Sequence, residues 1–368
     1  MGVYTDLGVK RVINAWGPMT RIGSALVRPE VVAAMAEAAG WYVDVIDLQR
    51  AAGQRLAGMI GVEACYIAGG CAAGLAIATA ACVTGGDPAR IARLPDTSGM
   101  PNEVIMQRSH RNPYDHAIRQ VGVRLVEIGN AWRTFDWELE AAVGPATAAV
   151  VHLYGHRTMY EPLSLSQTVA LAHGRGVPVI VDAAAEVPPA RNLRVLKETG
   201  ADAVVISGGK GLRGPQNSAL VLTSQAMVEA CIPNACPNHS LGRSMKTTKE
   251  DMVGLVRAVE LYLALDHEAV ARGWEADVDL VVRQLEGIAG VRAARAEAGY
   301  SEGIPVARIE VDEAGRGGGA AAVAEALAAG DPSIRVTQTR NWLSINPQFM
   351  EAGEAPLVAA RLRQVLGA

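Results

Sequence analysis

The chain has 368 residues, half of them hydrophobic and a fifth charged, which supplies ample material for buried cores and excludes intrinsic disorder. At roughly 100–200 residues per domain, this length points to two or three domains, or to one large α/β domain with an attached lobe. Acidic side chains (38) outnumber basic ones (34) for a formal charge of −4; with no cationic excess to displace counterions from a phosphate backbone, nucleic acid is not an expected partner.

Residues 1–40 are too few to fold alone and are expected to pack on the core that follows. Between Glu63 and Asp87 there is no charge, a length that would span a bilayer. Gly69, Gly70, Gly74, Gly85 and Gly86 interrupt it and no basic flank adjoins it, so a buried strand, a tight turn and a buried helix describe it better than a membrane span. Short apolar runs predict strands at 66–68, 103–107, 124–128, 148–154, 177–182, 203–207 and 218–222. Helical stretches lie among them at 71–83, 114–120, 137–142, 164–174 and 191–199. Strands apolar on both faces, alternating with helices, predict an α/β domain with a mostly parallel sheet over 41–245.

After Leu222 the pattern changes. Thr247 with Glu250 reads as a capping box opening a helix with Met252, Leu255, Val256, Val259 and Leu263 at helical spacing. That helix is expected to link to a smaller α+β domain, together spanning 246–368, with strands near 305–311, 335–338 and 342–345, a helix over 319–329 and a last helix from Pro356. Cys65, Cys71, Cys82, Cys231 and Cys236 are odd in number and irregular in spacing, as free thiols in a reducing compartment would be. Residues 1–11 lack the apolar core of a secretory signal, so the expected location is cytoplasmic. Cys231, Cys236 and His239 suggest a metal site only weakly, because no fourth ligand is evident, and no metal is expected.

Three features carry chemistry. The run Val177-Pro-Val-Ile-Val-Asp182 ends in a carboxylate, and ligands of open α/β sheets lie outside the carboxyl ends of the strands; a helix cap is the plainer alternative for Asp182. The second feature is Ser207-Gly-Gly-Lys210-Gly-Leu-Arg213-Gly-Pro-Gln216, a lysine in a glycine-rich loop after a buried strand. A desolvated lysine there can form a Schiff base, and a solvated or phosphate-binding lysine is the alternative. In the third, Ile67-Ala-Gly69-Gly70-Cys71-Ala72-Ala73-Gly74, a strand turns into a helix whose exposed N–H groups suit a phosphate. It matches neither a dinucleotide fingerprint nor a P-loop. Phosphate cradle, strand-end carboxylate and loop lysine are the three anchors of pyridoxal 5'-phosphate. His110, after the 103–107 strand, is placed to stack on the cofactor ring or assist proton transfer, or else to cap the next helix.

With Val12-Ile-Asn14-Ala-Trp-Gly17, Thr84-Gly85-Gly86-Asp87, Leu94-Pro95-Asp96-Thr97, and Asp182-Ala-Ala-Ala-Glu186-Val-Pro188-Pro189, the loop of Lys210 resembles fold-type-I pyridoxal-phosphate enzymes. Within them it resembles the group of selenocysteine synthases (L-seryl-tRNA selenium transferases) and D-glucosaminate-6-phosphate ammonia-lyases. The resemblance implies a fold-type-I large domain plus a smaller domain. It makes Lys210 the Schiff-base lysine and Asp182 the partner of the pyridine nitrogen. Gly70, Cys71, Ala72 and Ala73 become the phosphate cradle, His110 faces the ring, and Ser207 donates to the phosphate. Gly209 stands where selenocysteine synthases carry Asp, and their RNA-binding N-terminal region has no counterpart here, so the ammonia-lyase side is the closer one.

The implied reaction is β-elimination on a small-molecule 2-amino-3-hydroxy acid, a class that includes phosphorylated amino-sugar acids, giving a 2-keto acid and ammonia. An aminotransferase or racemase would use the same anchors. A desulfurase would need a mobile cysteine such as Cys231 or Cys236, and a noncatalytic binding protein would not need Lys210. Arg340 is the first candidate for a substrate carboxylate, with Arg21, Arg157 and Arg213 as alternatives; a surface ion pair is the plainer role of each. Asn14 and Thr20 are candidates to reach the substrate or else cap loops. Tyr154, His156, Thr158 and Tyr160 are candidates for the cofactor oxygen or the substrate. A homodimer or larger homo-oligomer is expected, because such enzymes build their sites at subunit boundaries.

Overall fold

The computed structural model describes residues 2–130, 132–155, 162–299, 302–312, 318–339 and 341–367. Its strands, in chain order, are β1 (Val12–Ala15), β2 (Ala64–Ala68), β3 (Glu103–Gln107), β4 (Arg124–Ile128), β5 (Thr147–Leu153), β6 (Val179–Asp182), β7 (Ala203–Ser207), β8 (Ala219–Thr223), β9 (Val291–Glu297), β10 (Pro305–Val311), β11 (Ser333–Gln338) and β12 (Trp342–Ile345). Contacts divide the chain into Val27–Ala264 and a second unit made of the residues before it and those from Leu265 onward. The expected boundaries lay instead after residues 40 and 245.

In the large unit a seven-stranded sheet runs β2-β8-β7-β6-β5-β3-β4. Only β8 is reversed, pairing antiparallel with both β2 and β7, while the remaining pairs are parallel. Every residue of β2, β6 and β8 is buried, as continuous apolar runs in a sheet covered on both faces require. The helix Cys71–Thr84 is buried over most of its length, so the uncharged stretch is a strand and a core helix. Among the described residues no helix is long and apolar enough to cross a membrane. At the sheet edge β4 keeps Arg124 and Glu127 exposed, charges that discourage further strand pairing.

Two expectations about local structure are corrected. The helix Lys249–Leu263 is capped one residue later than expected: Thr248 Oγ1 accepts from Asp251 N–H at 3.1 Å, and the Asp251 carboxylate accepts from Thr248. Its buried face holds Met252, Leu255, Ala258, Val259 and Tyr262, whereas Leu263 is exposed and Val256 only half-buried. This helix belongs to the large unit and packs on the helices Pro29–Ala39 and Val45–Ile60. The helix expected over 114–120 is a short turn, Pro113–Asp115, followed by His116–Arg119, because Asn112 caps it through Tyr114 N–H at 2.8 Å.

In the second unit a five-stranded sheet runs β1-β11-β12-β10-β9, with β1 parallel to β11 and the other pairs antiparallel. The N-terminal segment therefore contributes a strand here, Val12 to Ala15 aligned with Ser333 to Val336. Its helix Pro29–Ala39 falls in the large unit. Ile13 and Ala15 join Val278, Val281, Leu327, Leu343, Val358 and Leu362 in one core.

Candidate active site

Parallel register sets the site. Leu153 of β5, Asp182 of β6 and Val205 of β7 lie abreast, so three strands deliver their following residues to one edge, where ligands of such sheets bind. Asp182 is buried at that edge; its Oδ1 accepts from Ala184 N–H at 3.1 Å. Burial raises the proton affinity of the carboxyl, against the pull of the Ala184 amide and the Lys210 ammonium. A buried carboxylate of this kind favours a cationic N–H partner.

Beyond β7 the chain folds back on itself. Gly208 N–H donates to Ser218 O at 2.9 Å, Gly214 N–H to Gly208 O at 2.9 Å, and Arg213 N–H to Lys210 O at 2.9 Å. Gly211 is pressed against Val187: a Cβ on it would lie 1.8 Å from the Val187 carbonyl oxygen. Lys210 is thus held between a strand end and a backbone contact with no slack. Arg213, three residues on, has φ +53°, the left-handed region that non-glycine residues seldom adopt.

Gly70, at φ +102°, is the N-cap of the helix Cys71–Thr84 and offers no side chain to the first-turn N–H groups, which leaves them open to an anion. Gly69 sits so close to the backbone that a Cβ would come within 2.9 Å of Met245 O. The Cys71 thiol is pushed up to about 12 by burial and by the charge of Asp182; the Lys210 ammonium and a hydrogen bond with Ser207 oppose this. Cys71, Asp182, Ser207 and Lys210 therefore act on one another within one site. A glycine-lined helix N-terminus, a buried carboxylate and a lysine fit the phosphate, the ring nitrogen and the carbonyl of pyridoxal phosphate respectively.

His110 follows β3 and is 1% exposed. Its Nδ1 accepts from Leu153 N–H at 3.2 Å, and burial lowers its pKa to about 4, so it is an uncharged ring at neutral pH. It does not cap a helix; Asn112 does that. The segment around it is clamped by ion pairs: buried Asp115 accepts from Arg111 Nε at 2.6 Å and Arg119 Nε at 3.0 Å, while Arg111 and Arg108 also pair with Glu127 of β4.

The family model of L-seryl-tRNA selenium transferase matches residues 12–326. The chain belongs to this family. It is 35% identical to the D-glucosaminate-6-phosphate ammonia lyase of Salmonella typhimurium, over 99% of this chain and 97% of the relative. It is 34% identical to a 5'-C-glycyluridine monooxygenase-decarboxylase of a Streptomyces species, over 99% and 92% respectively. A solved structure of D-glucosaminate-6-phosphate ammonia-lyase superposes with a TM-score of 0.88 at 34% identity, covering 100% of this chain and 98% of that one. The chain is a fold-type-I, pyridoxal-phosphate-dependent enzyme.

Of the other candidate residues, some belong to the second unit and some lie outside the described residues. Asn14 spends its amide inside its own loop, donating to Gly17 O at 3.0 Å and Ser24 O at 2.7 Å and accepting from Trp16 and Gly17 N–H. Thr20 and Arg21 are exposed in a short turn of the second unit. Arg157 and Arg340 fall outside the described residues, as do His156, Thr158 and Tyr160; Tyr154 N–H donates to Asp182 O at 2.9 Å. Cys231 is buried and pushed above the ordinary thiol range, so it is no mobile nucleophile; among the described residues no metal-binding cluster occurs. Arg335 of β11, in the second unit, has a buried Nε with no hydrogen-bond partner among the described residues.

Proposed function

We propose that this enzyme eliminates the β-hydroxyl of a 2-amino-3-hydroxy acid, in particular a phosphorylated amino-sugar acid, yielding a 2-keto acid and ammonia. The full-length likeness to D-glucosaminate-6-phosphate ammonia lyase carries this reading, and the joint field of Cys71, Asp182 and Lys210 supports the site assignment. When bound, pyridoxal phosphate supplies an electron sink that acidifies the α-carbon of an amino substrate. Asp182 would keep the ring nitrogen protonated. Gly70, Cys71, Ala72 and Ala73 would hold the phosphate with backbone N–H groups, joined by the Ser207 hydroxyl. Lys210 would hold the carbonyl and, once freed by the substrate amine, would take the α-proton and return it to the departing hydroxyl as water. Hydrolysis of the released enamine consumes one water and frees ammonia.

Anionic groups of such a substrate call for arginine. Arg340 is the first candidate for the carboxylate, with Arg21, Arg157 and Arg213 as alternatives for the carboxylate or the phosphate, and Thr20 and Asn14 for hydroxyls or loop order. A small-molecule substrate, a cytoplasmic location with free thiols, and a homodimer or larger assembly complete the reading. The exposed run Trp41, Tyr42, Val43, at 70%, 103% and 49%, supports the assembly, which light scattering tests.

The deciding experiment is borohydride reduction of the yellow holoenzyme with peptide mapping, followed by a screen of 2-amino-3-hydroxy acids. A pyridoxyl group on Lys210 together with stoichiometric keto acid and ammonia supports the proposal. Oxygen uptake with carbon dioxide release would favour the chemistry named for the Streptomyces relative. Accumulation of pyridoxamine phosphate would favour an aminotransferase, and loss of substrate chirality alone a racemase. A protein that takes up no cofactor would be left as a binding protein.

A further inference from the structure

Next to His110 lies a second histidine that the reaction does not use. His152 of β5 is 4% exposed, and its ring stands edge-on to that of His110, centroids 4.5 Å apart and planes at 76°. The hydrogen bonds around the pair fix where every ring proton sits. Leu153 N–H points at His110 Nδ1 at 3.2 Å, so that nitrogen is bare and the proton is on Nε2. Thr168 donates its hydroxyl hydrogen to Ser164 O at 2.9 Å, so towards His152 Nδ1, 3.2 Å away, Thr168 can only accept. His152 therefore carries its proton on Nδ1.

We propose that His152, oriented by Thr168, is a positioning residue that holds His110 in a single ring orientation as an uncharged donor through Nε2. Protonating His110 at Nδ1 would aim two donors at each other across the Leu153 contact. This makes His110 a support for the ring and a hydrogen-bond donor, and it assigns the proton transfers to Lys210. The inference rests on the cofactor reading of the site but not on any substrate.

The test uses holoenzyme with 15N-labelled histidine, together with the variants Thr168→Val, Thr168→Ser and His152→Gln. In the wild type, the ring nitrogens of His110 and His152 are expected as opposite neutral tautomers at pH 7. Thr168→Val, nearly isosteric, is expected to scramble the His152 tautomer and weaken the visible circular dichroism of the bound cofactor. It should lower kcat about ten-fold with KM within two-fold, and Thr168→Ser should restore all three. His152→Gln should act in the same direction with the fold retained. An imidazolium or an Nδ1-protonated His110 at pH 7 overturns the proposal. So does a Thr168→Val enzyme with unchanged dichroism, or a loss that Thr168→Ser does not recover. Because tautomers and dichroism are read without substrate, an error in the proposed reaction leaves this test standing.

Discussion

Replacing Gly211 by Ala probes the contact that fixes Lys210. The new methyl would start 1.8 Å from the Val187 carbonyl oxygen, where ordinary contact begins at 3.4 Å, so the two backbones must separate by about 1.6 Å. Neither side can yield through a flexible side chain, since the obstacle is a backbone carbonyl. Overpacking of this kind costs about 1–3 kcal/mol, a fall in Tm of roughly 2–12 °C for a unit of this size. The larger effect is on chemistry: Lys210 is the neighbouring residue, and misplacing a reacting group by ~1 Å costs ~100-fold in rate. Steady-state turnover of the reconstituted enzyme, with absorbance titration of the cofactor, measures both effects. Gly58→Ala serves as the control, because Gly58 is exposed on the helix Val45–Ile60 with nothing within 4 Å of a new Cβ. It should gain about 0.5–1 kcal/mol in stability at unchanged turnover. Turnover of the Gly211→Ala holoenzyme within a few-fold of wild type would refute the reasoning.

Three further outcomes are expected. Asp115→Ala removes a buried carboxylate that two part-exposed arginines share, and about 1 kcal/mol of stability should be lost in urea titration. Ser24 has φ +58° and a buried hydroxyl without a partner, so Ser24→Gly should raise Tm rather than lower it. His110 binds its proton at about 4 in the folded chain against an ordinary 6.5. On acidification the unfolded chain takes up this proton first, so the stabilisation is complete above about pH 6.5 and is lost as pH falls towards 4. It amounts to at most about 3 kcal/mol, and His110→Phe should flatten that part of the pH–stability curve.

The parts of the site that follow from periodicity and chemistry were legible in the sequence. Asp182 ends a run of buried apolar residues, and Lys210 stands among glycines that only close approach explains, so their placement after β6 and β7 could be read directly. Thr84, Asp87 and Thr97 of the other motifs make local structural bonds. Thr97 Oγ1 ties its loop to Gly122 O at 2.8 Å, Thr84 bonds Asn234, and Asp87 caps the helix Pro88–Arg93 through Ala89 and Arg90 N–H. The amphipathic helices Val45–Ile60 and His267–Gln284 were missed because long polar faces dilute their apolar stripes. β9 was missed because Val-Arg-Ala-Ala-Arg-Ala-Glu is composed of helix formers and becomes a strand only by pairing with β10. β1 is likewise defined by a partner more than 300 residues away. The cap at Thr248 instead of Thr247 shows a local limit: both positions present a threonine three residues before an acid, and burial of Asp251 decides between them.

Charge within the large-unit site is divided so that each group can do one task. Asp182 is a carboxyl whose pKa burial raises, so its ionised form calls for a cation beside it. The charge of Lys210 opposes that rise. Cys71 is kept a neutral thiol by its burial, so the helix N-terminus presents only N–H dipoles to a phosphate. Were Cys71 a thiolate, it would repel that phosphate and compete with Asp182 for Lys210. Cys71→Asp creates that situation deliberately and should weaken cofactor affinity by more than ten-fold, whereas Cys71→Ser should keep it within a few-fold. Equal affinity of the two variants would mean that the phosphate does not lie at this helix end.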